Sequence, residues 1–248
     1  MNNGVIAIQL GNFKVNSDKT FEKISSNDSA KGIVMAIQPF LIPMSDGYHM
    51  LDTGIEAITP DGENLLLNNL DKAGVKPQDI RAIYISHLHK DHVGGLSYLE
   101  NKKRVFPFEN AVIYIHKKAY EFAISQTSNS SYDNEALQRL KTLSNVCWLS
   151  EIQGAITDEV SYLVTSGHTP YHLVFWFRLE NEIVFFGGDD LPTEGYFKKN
   201  IAYKIDFDGV KAKDLRKKWK ENAIQENAIQ ENWTVLFYHD FQNPIVKY

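Results

Sequence analysis

A chain of 248 residues with 43% hydrophobic and 12% aromatic side chains can fill a substantial core, which excludes a disordered or low-complexity protein. The net charge of -5 provides no general basic field, so neither nucleic acid nor an anionic membrane is an expected partner and a small molecule is. The single cysteine, Cys147, excludes an intrachain disulfide, and its setting in "NVCWLS" reads as a buried structural thiol.

The N-terminal "MNNGVIAIQL" lacks the basic segment, long apolar run and cleavage site of a leader. No stretch approaches the ~18 apolar residues of a membrane span. The expectation is a cytoplasmic protein folded as one domain over residues 1–248. Strand-length apolar runs follow in order: "VIAIQL", "IVMAIQPFLI", "AIYIS", "AVIYI", "SYLVTS", "LVFWFRL", "EIVFFGG" and "TVLFYH". Between them, "ENLLLNNLDKAG" has an apolar face with Gly74 as a stop, and "KKAYEFAI", "NEALQRLKTL" and "KAKDLRKKWKENAIQ" are further helix candidates. Strands that are nearly continuously apolar need cover on both faces, so the expected class is mixed α/β with layered sheets.

Two segments are irregular. "SQTSNSSYDN", Ser125 to Asn134, is polar and reads as a mobile loop, either a plain surface insertion or the border of a substrate entrance. "ENAIQENAIQEN", Glu221 to Asn232, repeats with a period of five, which sets its isoleucines about 140° apart on a helix. It reads as a local duplication extending a helix end. The basic "RKKWK" is taken as the solvated face of that helix, with Trp219 turned inward.

The chemistry concentrates in "ISHLHKDHVGG", Ile85 to Gly95, where three histidines and an aspartate fall within six residues at the end of an apolar strand. Neutral imidazole and carboxylate suit zinc, and strand ends are where α/β folds place their chemistry. A metal centre there needs further donors at later strand ends. His168 in "TSGHTPYH", Asp189 or Asp190 in "VFFGGDDLP" and His239 in "VLFYHD" supply them.

The ordered set "LDTG", "SHLHKDHVGGL", "GHTPYH", "GGDD" and "YHD" resembles the metallo-β-lactamase fold hydrolases over almost the full chain. The resemblance implies a four-layer αββα sandwich. It also implies two metal sites: His87, His89 and His168 as ligands of the first metal, Asp91, His92 and His239 as ligands of the second. Asp189 corresponds to the bridging carboxylate, with Asp190 as the alternative, and Asp91 and Asp189 are the catalytic candidates. Asp52 corresponds to a buried aspartate that supports the ligand histidines. His172 is either a supporting residue or simple packing, and His49 and His116 are read as structural. Tyr171 stands where many relatives have glycine.

Two divalent ions sharing a carboxylate and a hydroxide, zinc first with Mn, Co or Fe as options, imply hydrolysis without a serine or cysteine nucleophile. The "HD" after the last apolar strand is closest in style to the N-acyl homoserine lactonases and the methyl parathion hydrolase-like members, which implies attack on a lactone or ester carbonyl. The tyrosine that the lactonases carry shortly after the bridging aspartate has no match here. Phosphotriester or phosphodiester hydrolysis, and then thioester hydrolysis, are the alternatives. Beyond hydrolysis, the iron-containing oxygen-binding or electron-transfer relatives of the fold are disfavoured because 248 residues leave no room for their added flavin domain, and a metal-free binding module because the ligand set is intact.

Overall fold

The structure, a computed structural model, describes residues 4–24, 32–227 and 232–248. The chain forms two compact units, Met1–Leu149 and Ser150–Tyr248.

In the first unit a six-stranded sheet runs in chain order through Ile6–Ala7, Phe40–Met44, Gly47–Leu51, Ile80–Tyr84, Val112–His116 and Val146–Leu149. The first three strands pair antiparallel, and from Gly47–Leu51 onward the pairing is parallel. Ile80, Ala82, Ile83 and Tyr84 are all buried, as expected of a parallel strand with cover on both faces. The run "IVMAIQPFLI" divides in two. Ile33–Ile37 joins a three-stranded sheet with Gly11–Val15 and Phe21–Ile24, while Phe40–Met44 enters the large sheet. The break falls at Gln38 and Pro39, where the proline has no N–H to give to a ladder.

The helix Leu65–Lys72 begins at Asn64, whose side chain accepts the Leu67 N–H at 2.9 Å. It buries Leu65, Leu66 and Leu70 and stops before Gly74, whose φ of 72° needs no Cβ penalty. Cys147 corrects the expectation of a buried thiol: it is exposed. It lies on the strand Val146–Leu149, which ends the sheet and pairs with Val112–His116 alone, so a small side chain there lacks the cover a central strand would have.

The second unit has its own six-stranded sheet, again in chain order: Gln153–Ala155, Val160–Val164, Leu173–Arg178, Glu182–Phe186, Asn232–Leu236 and Ile245–Lys247. All neighbours are antiparallel except Glu182–Phe186 and Asn232–Leu236. A parallel pair needs a long crossover, and here it contains the helices Glu194–Lys199 and Gly209–Asn227.

The longer helix turns Ala212, Arg216, Trp219 and Ala223 inward at helical spacing. Trp219 lies 4.9 Å from Phe185 between ring centroids and joins a core with Phe197, Trp233 and Phe237, where each large side chain contributes about 1.5–3 kcal/mol by leaving water. Trp219 is therefore inward as expected. Arg216 is not on a solvated face: it is 1% exposed. The first pentamer and the start of the second continue this helix to Asn227, and residues 228–231 lie outside the described residues. The fold is mixed α/β, and no helix among the described residues is long and apolar enough to cross a membrane.

Candidate metal centre

The first unit contributes four donors from one bend. The strand Ile80–Tyr84 delivers His87 and His89, and the short helix Lys90–Val93 carries Asp91 and His92. The bend is fastened to the "LDTG" segment: the Thr53 N–H and hydroxyl both donate to the His92 carbonyl, at 2.7 and 3.0 Å. Gly95 is required by this close approach, since a Cβ there would collide with the Thr53 carbonyl oxygen.

Asp52 is fully buried and organises the bend. Its carboxylate accepts the Ser86 N–H and the Ser86 hydroxyl, each at 2.7 Å, and pairs with His92 Nδ1 at 2.7 Å. Ser86 Oγ then receives His87 Nδ1 at 3.1 Å. With Ser86 donating to Asp52, both His87 and His92 carry their proton on Nδ1 and present Nε2 as a lone pair. His92 Nε2 lies 3.7 Å from the Asp91 carboxylate, and His87 Nε2 lies 3.0 Å from His89 Nδ1. Two imidazole nitrogens at that separation, one of them a lone pair, fit donation to a common cation.

The loop Ser125–Asn134 belongs to this environment. The Ser131 carbonyl accepts the Lys90 N–H at 2.9 Å, and Tyr132, 8% exposed, sets its ring 4.9 Å from that of His89. Burial pushes the Tyr132 phenol up to about 12, so it remains neutral beside the imidazole. Of the two readings of this loop, a plain surface insertion does not describe it.

The second unit supplies donors from three separate strand ends. His168 lies four residues beyond Val160–Val164, Asp189 follows Glu182–Phe186, and His239 follows Asn232–Leu236. The two Asp189 oxygens face different histidines: Oδ2 is 3.3 Å from His168 Nε2 and Oδ1 is 3.1 Å from His239 Nε2. Asp190 is turned away from that pair. Its Oδ1 accepts the His168 backbone N–H at 2.6 Å and its Oδ2 lies 3.4 Å from His172 Nδ1. Gly167 makes room for this, because a Cβ there would overlap the Asp190 carboxylate. His172, fully buried, accepts the Asp189 N–H on Nε2 at 3.2 Å, so it holds the backbone of Asp189 and does not merely fill space. In each unit, nitrogen from histidine with oxygen from aspartate is the chemistry a zinc-like ion takes.

Two residues escaped the sequence reading. Asp206, its side chain 1% exposed, meets His168 Nδ1 at 3.0 Å. Arg216 donates to the carbonyls of Asp190 and Ile201, both at 2.7 Å. Burial opposes a charge on His168, but the carboxylates of Asp189, Asp206 and Asp190 outweigh it and hold the imidazole above its ordinary value. The same local excess of negative charge favours a bound cation. Three non-glycine residues beside the donors have a left-handed backbone, namely Asp52, Ser166 and Tyr171, with φ of 53°, 52° and 60°. Such a backbone is one that glycine adopts without the penalty a side chain brings, so Tyr171 holds it at a cost. His49 bonds to Asp46 and the Tyr84 hydroxyl at 3.1 and 3.0 Å, so it serves the sheet of the first unit.

Known proteins resemble this chain in sequence and in fold. N-acyl homoserine lactonase from Bacillus cereus is 26% identical over 224 residues, 82% of this chain and 80% of that protein. Protein artemis from Rattus norvegicus is 26% identical over 130 residues, 52% of this chain but only 18% of that protein. Among solved structures, one described as "a probable metal-dependent hydrolase" from Staphylococcus aureus aligns with a TM-score of 0.75 at 17% identity, covering 99% of this chain and 92% of that one. AidC, a dizinc quorum-quenching lactonase, aligns with a TM-score of 0.67 at 22% identity, covering 86% and 75%. These structures establish the fold. The family model described as Anti-Pycsar protein Apyc1 matches residues 45–207, well over half of the chain and most of the segments that carry the candidate donors, so the chain belongs to that family.

Proposed function

We propose that His87, His89, Asp91, His92, His168, Asp189 and His239 hold two divalent metal ions, zinc first among them, and that the protein hydrolyses an ester bond in a small molecule. The observation that carries this reading is the Asp189 carboxylate, whose two oxygens face two different histidines, the disposition expected of a shared ligand. Bound divalent ions supply polarisation of the ester oxygen and activation of water near neutral pH.

The chain's own residues do the rest. Asp52 keeps the proton of His92 on Nδ1 directly and that of His87 through Ser86, and His172 holds the Asp189 backbone. Asp91, 7% exposed, combines a ligand role with acceptance of the proton that water gives up at its carboxylate. The two units act as one domain over residues 1–248, which limited proteolysis tests: a stable, separately active fragment would refute it.

Lactone or carboxylic ester hydrolysis is the first reading, supported by the likeness to the B. cereus lactonase along most of both chains. Phosphoester hydrolysis is the second, which the same pair of ions would serve, and one observation weighs against the lactonase reading. Three residues after Asp189 stands Pro192, whose carbonyl accepts the His239 N–H at 2.9 Å. The next tyrosine, Tyr196, is stacked on Tyr203 at 3.9 Å and pushed up to about 12 by burial, so it does not replace the tyrosine of the lactonases. The test is the zinc-loaded protein on an acyl homoserine lactone, an aryl ester, a phosphodiester and a phosphotriester, with metal content measured alongside. Turnover of the first two supports the first reading and turnover confined to the last two the second. Less than one equivalent of metal with no turnover overturns both.

A further inference from the structure

We propose that Asp206 and Arg216 are positioning residues for the metal donors of the second unit: Asp206 fixes the donor atom of His168, and Arg216 locks the segment that carries Asp206 to the backbone at Asp190. This rests on the reading that the site holds metal ions, but it concerns residues that neither the motifs nor the family comparison assign.

Asp206 meets His168 Nδ1 at 3.0 Å while His168 Nε2 faces Asp189 at 3.3 Å. A carboxylate at one ring nitrogen keeps the proton there and directs the other nitrogen to a metal, the same logic by which Asp52 serves His92. The contact is not a chance approach of an exposed loop. Phe207 N–H donates to the His168 carbonyl at 3.1 Å and Asp208 N–H to the Gly167 carbonyl at 2.8 Å. Residues 206–208 thus run beside residues 167–168 with the Asp206 side chain buried, while Ile205 and Phe207 on either side are 74% and 65% exposed.

Arg216 explains why this segment stays in place. One guanidinium reaches two carbonyls at 2.7 Å, Asp190 next to the shared carboxylate and Ile201 at the start of the segment. Its charge also lies 5.3 and 5.6 Å from the ring centroids of Tyr196 and Tyr203. Burial lowers the Arg216 pKa from its ordinary value. A buried cation with no role in the core is costly, and a planar fork that spans two fixed acceptors is a task lysine cannot perform.

The test uses the full-length protein, stripped of metal and titrated with zinc against a chromophoric chelator, with cobalt absorption as a second readout and near-UV circular dichroism to confirm folding. Wild type binding two equivalents supports the metal reading itself; failure of wild type to bind refutes that reading and this one with it, whereas wild-type binding with unaffected variants refutes this one alone. Asp206→Ala is expected to lose about 10–100-fold in affinity at one of the two sites and to shift the cobalt spectrum. Asp206→Asn, which keeps the shape and an acceptor oxygen, is expected to lose less in the same direction. If Asp206→Ala does not fold, Asp206→Asn decides alone. Arg216→Lys, which keeps the charge and loses one carbonyl, is expected to weaken the same site while its folded, metal-free spectrum matches wild type. Two-equivalent binding at wild-type affinity in folded Asp206 variants would overturn the assignment for Asp206. The same result in Arg216→Lys would overturn it for Arg216, leaving it a purely structural cation.

Discussion

The donors of the two units are supported in opposite ways. In the first unit four donors sit within six consecutive residues, and one buried carboxylate, Asp52, directs His92 and, through Ser86, His87. In the second unit each donor comes from a different strand end, and each has its own long-range partner: Asp206 for His168, the His172 ring for the Asp189 backbone, the Pro192 carbonyl for the His239 backbone. A compact motif can share one support, whereas dispersed donors need one support apiece. Damage should therefore be wide in the first unit and local in the second.

The largest effect tests the donors themselves. His87→Ala and Asp189→Ala are each expected to abolish hydrolysis and reduce bound metal, measured by kcat/KM and elemental analysis. Full turnover with unchanged metal in either would break the comparison at its root. Next, Asp52→Ala is expected to weaken both metals together by about 10–100-fold and to lower stability by roughly 1–3 kcal/mol, since it leaves buried partners unmade. Loss confined to a single equivalent would contradict the shared role. His172→Ala, which removes one support in the second unit, is expected to cost turnover about tenfold while leaving the affinity of the first-unit donors intact; a uniform loss of both metals would show the two regions alike.

Smaller effects sharpen the picture. Tyr171→Gly relieves a left-handed backbone at a residue with a side chain and is expected to raise stability by about 1 kcal/mol in chemical denaturation. A drop in stability instead would show that the phenol packs for more than the backbone costs. His116→Ala is expected to leave turnover within a few fold, because its ring is buried at the end of the strand Val112–His116 and has no assigned part in the chemistry.

Much of the candidate site was legible because its proposed strand-end donors stand beside residues that punctuate the chain: Gly94 and Gly95, Gly167 and Pro170, Gly187 and Gly188. The helices were legible for a similar local reason, as with the Leu65, Leu66 and Leu70 face and the Asn64 cap. Arg216 was not, although its position between Ala212 and Trp219 at helical spacing puts it on the inward stripe. Charge outweighed period in reading "RKKWK", and only the tertiary fold brings a partner to the guanidinium. Asp206 was invisible for the same cause: nothing in "IDFDGV" refers to a histidine 38 positions earlier. The Cys147 thiol was misread because an edge strand and a central strand can look alike in sequence until the sheet order is known.

The shared support at Asp52 has a consequence for how the centre fills. When His92 and His87 hold different ions, ordering either histidine also orders the carboxylate and hydroxyl on which the other depends. The first ion to bind then bears the entropic cost of fixing that bend, and the second meets a bend already fixed. On the proposed metal assignment, loading is therefore expected to be cooperative without either ion sensing the other's charge, with half-filled protein scarce in a chelator titration; two independent, well-separated binding steps would contradict it.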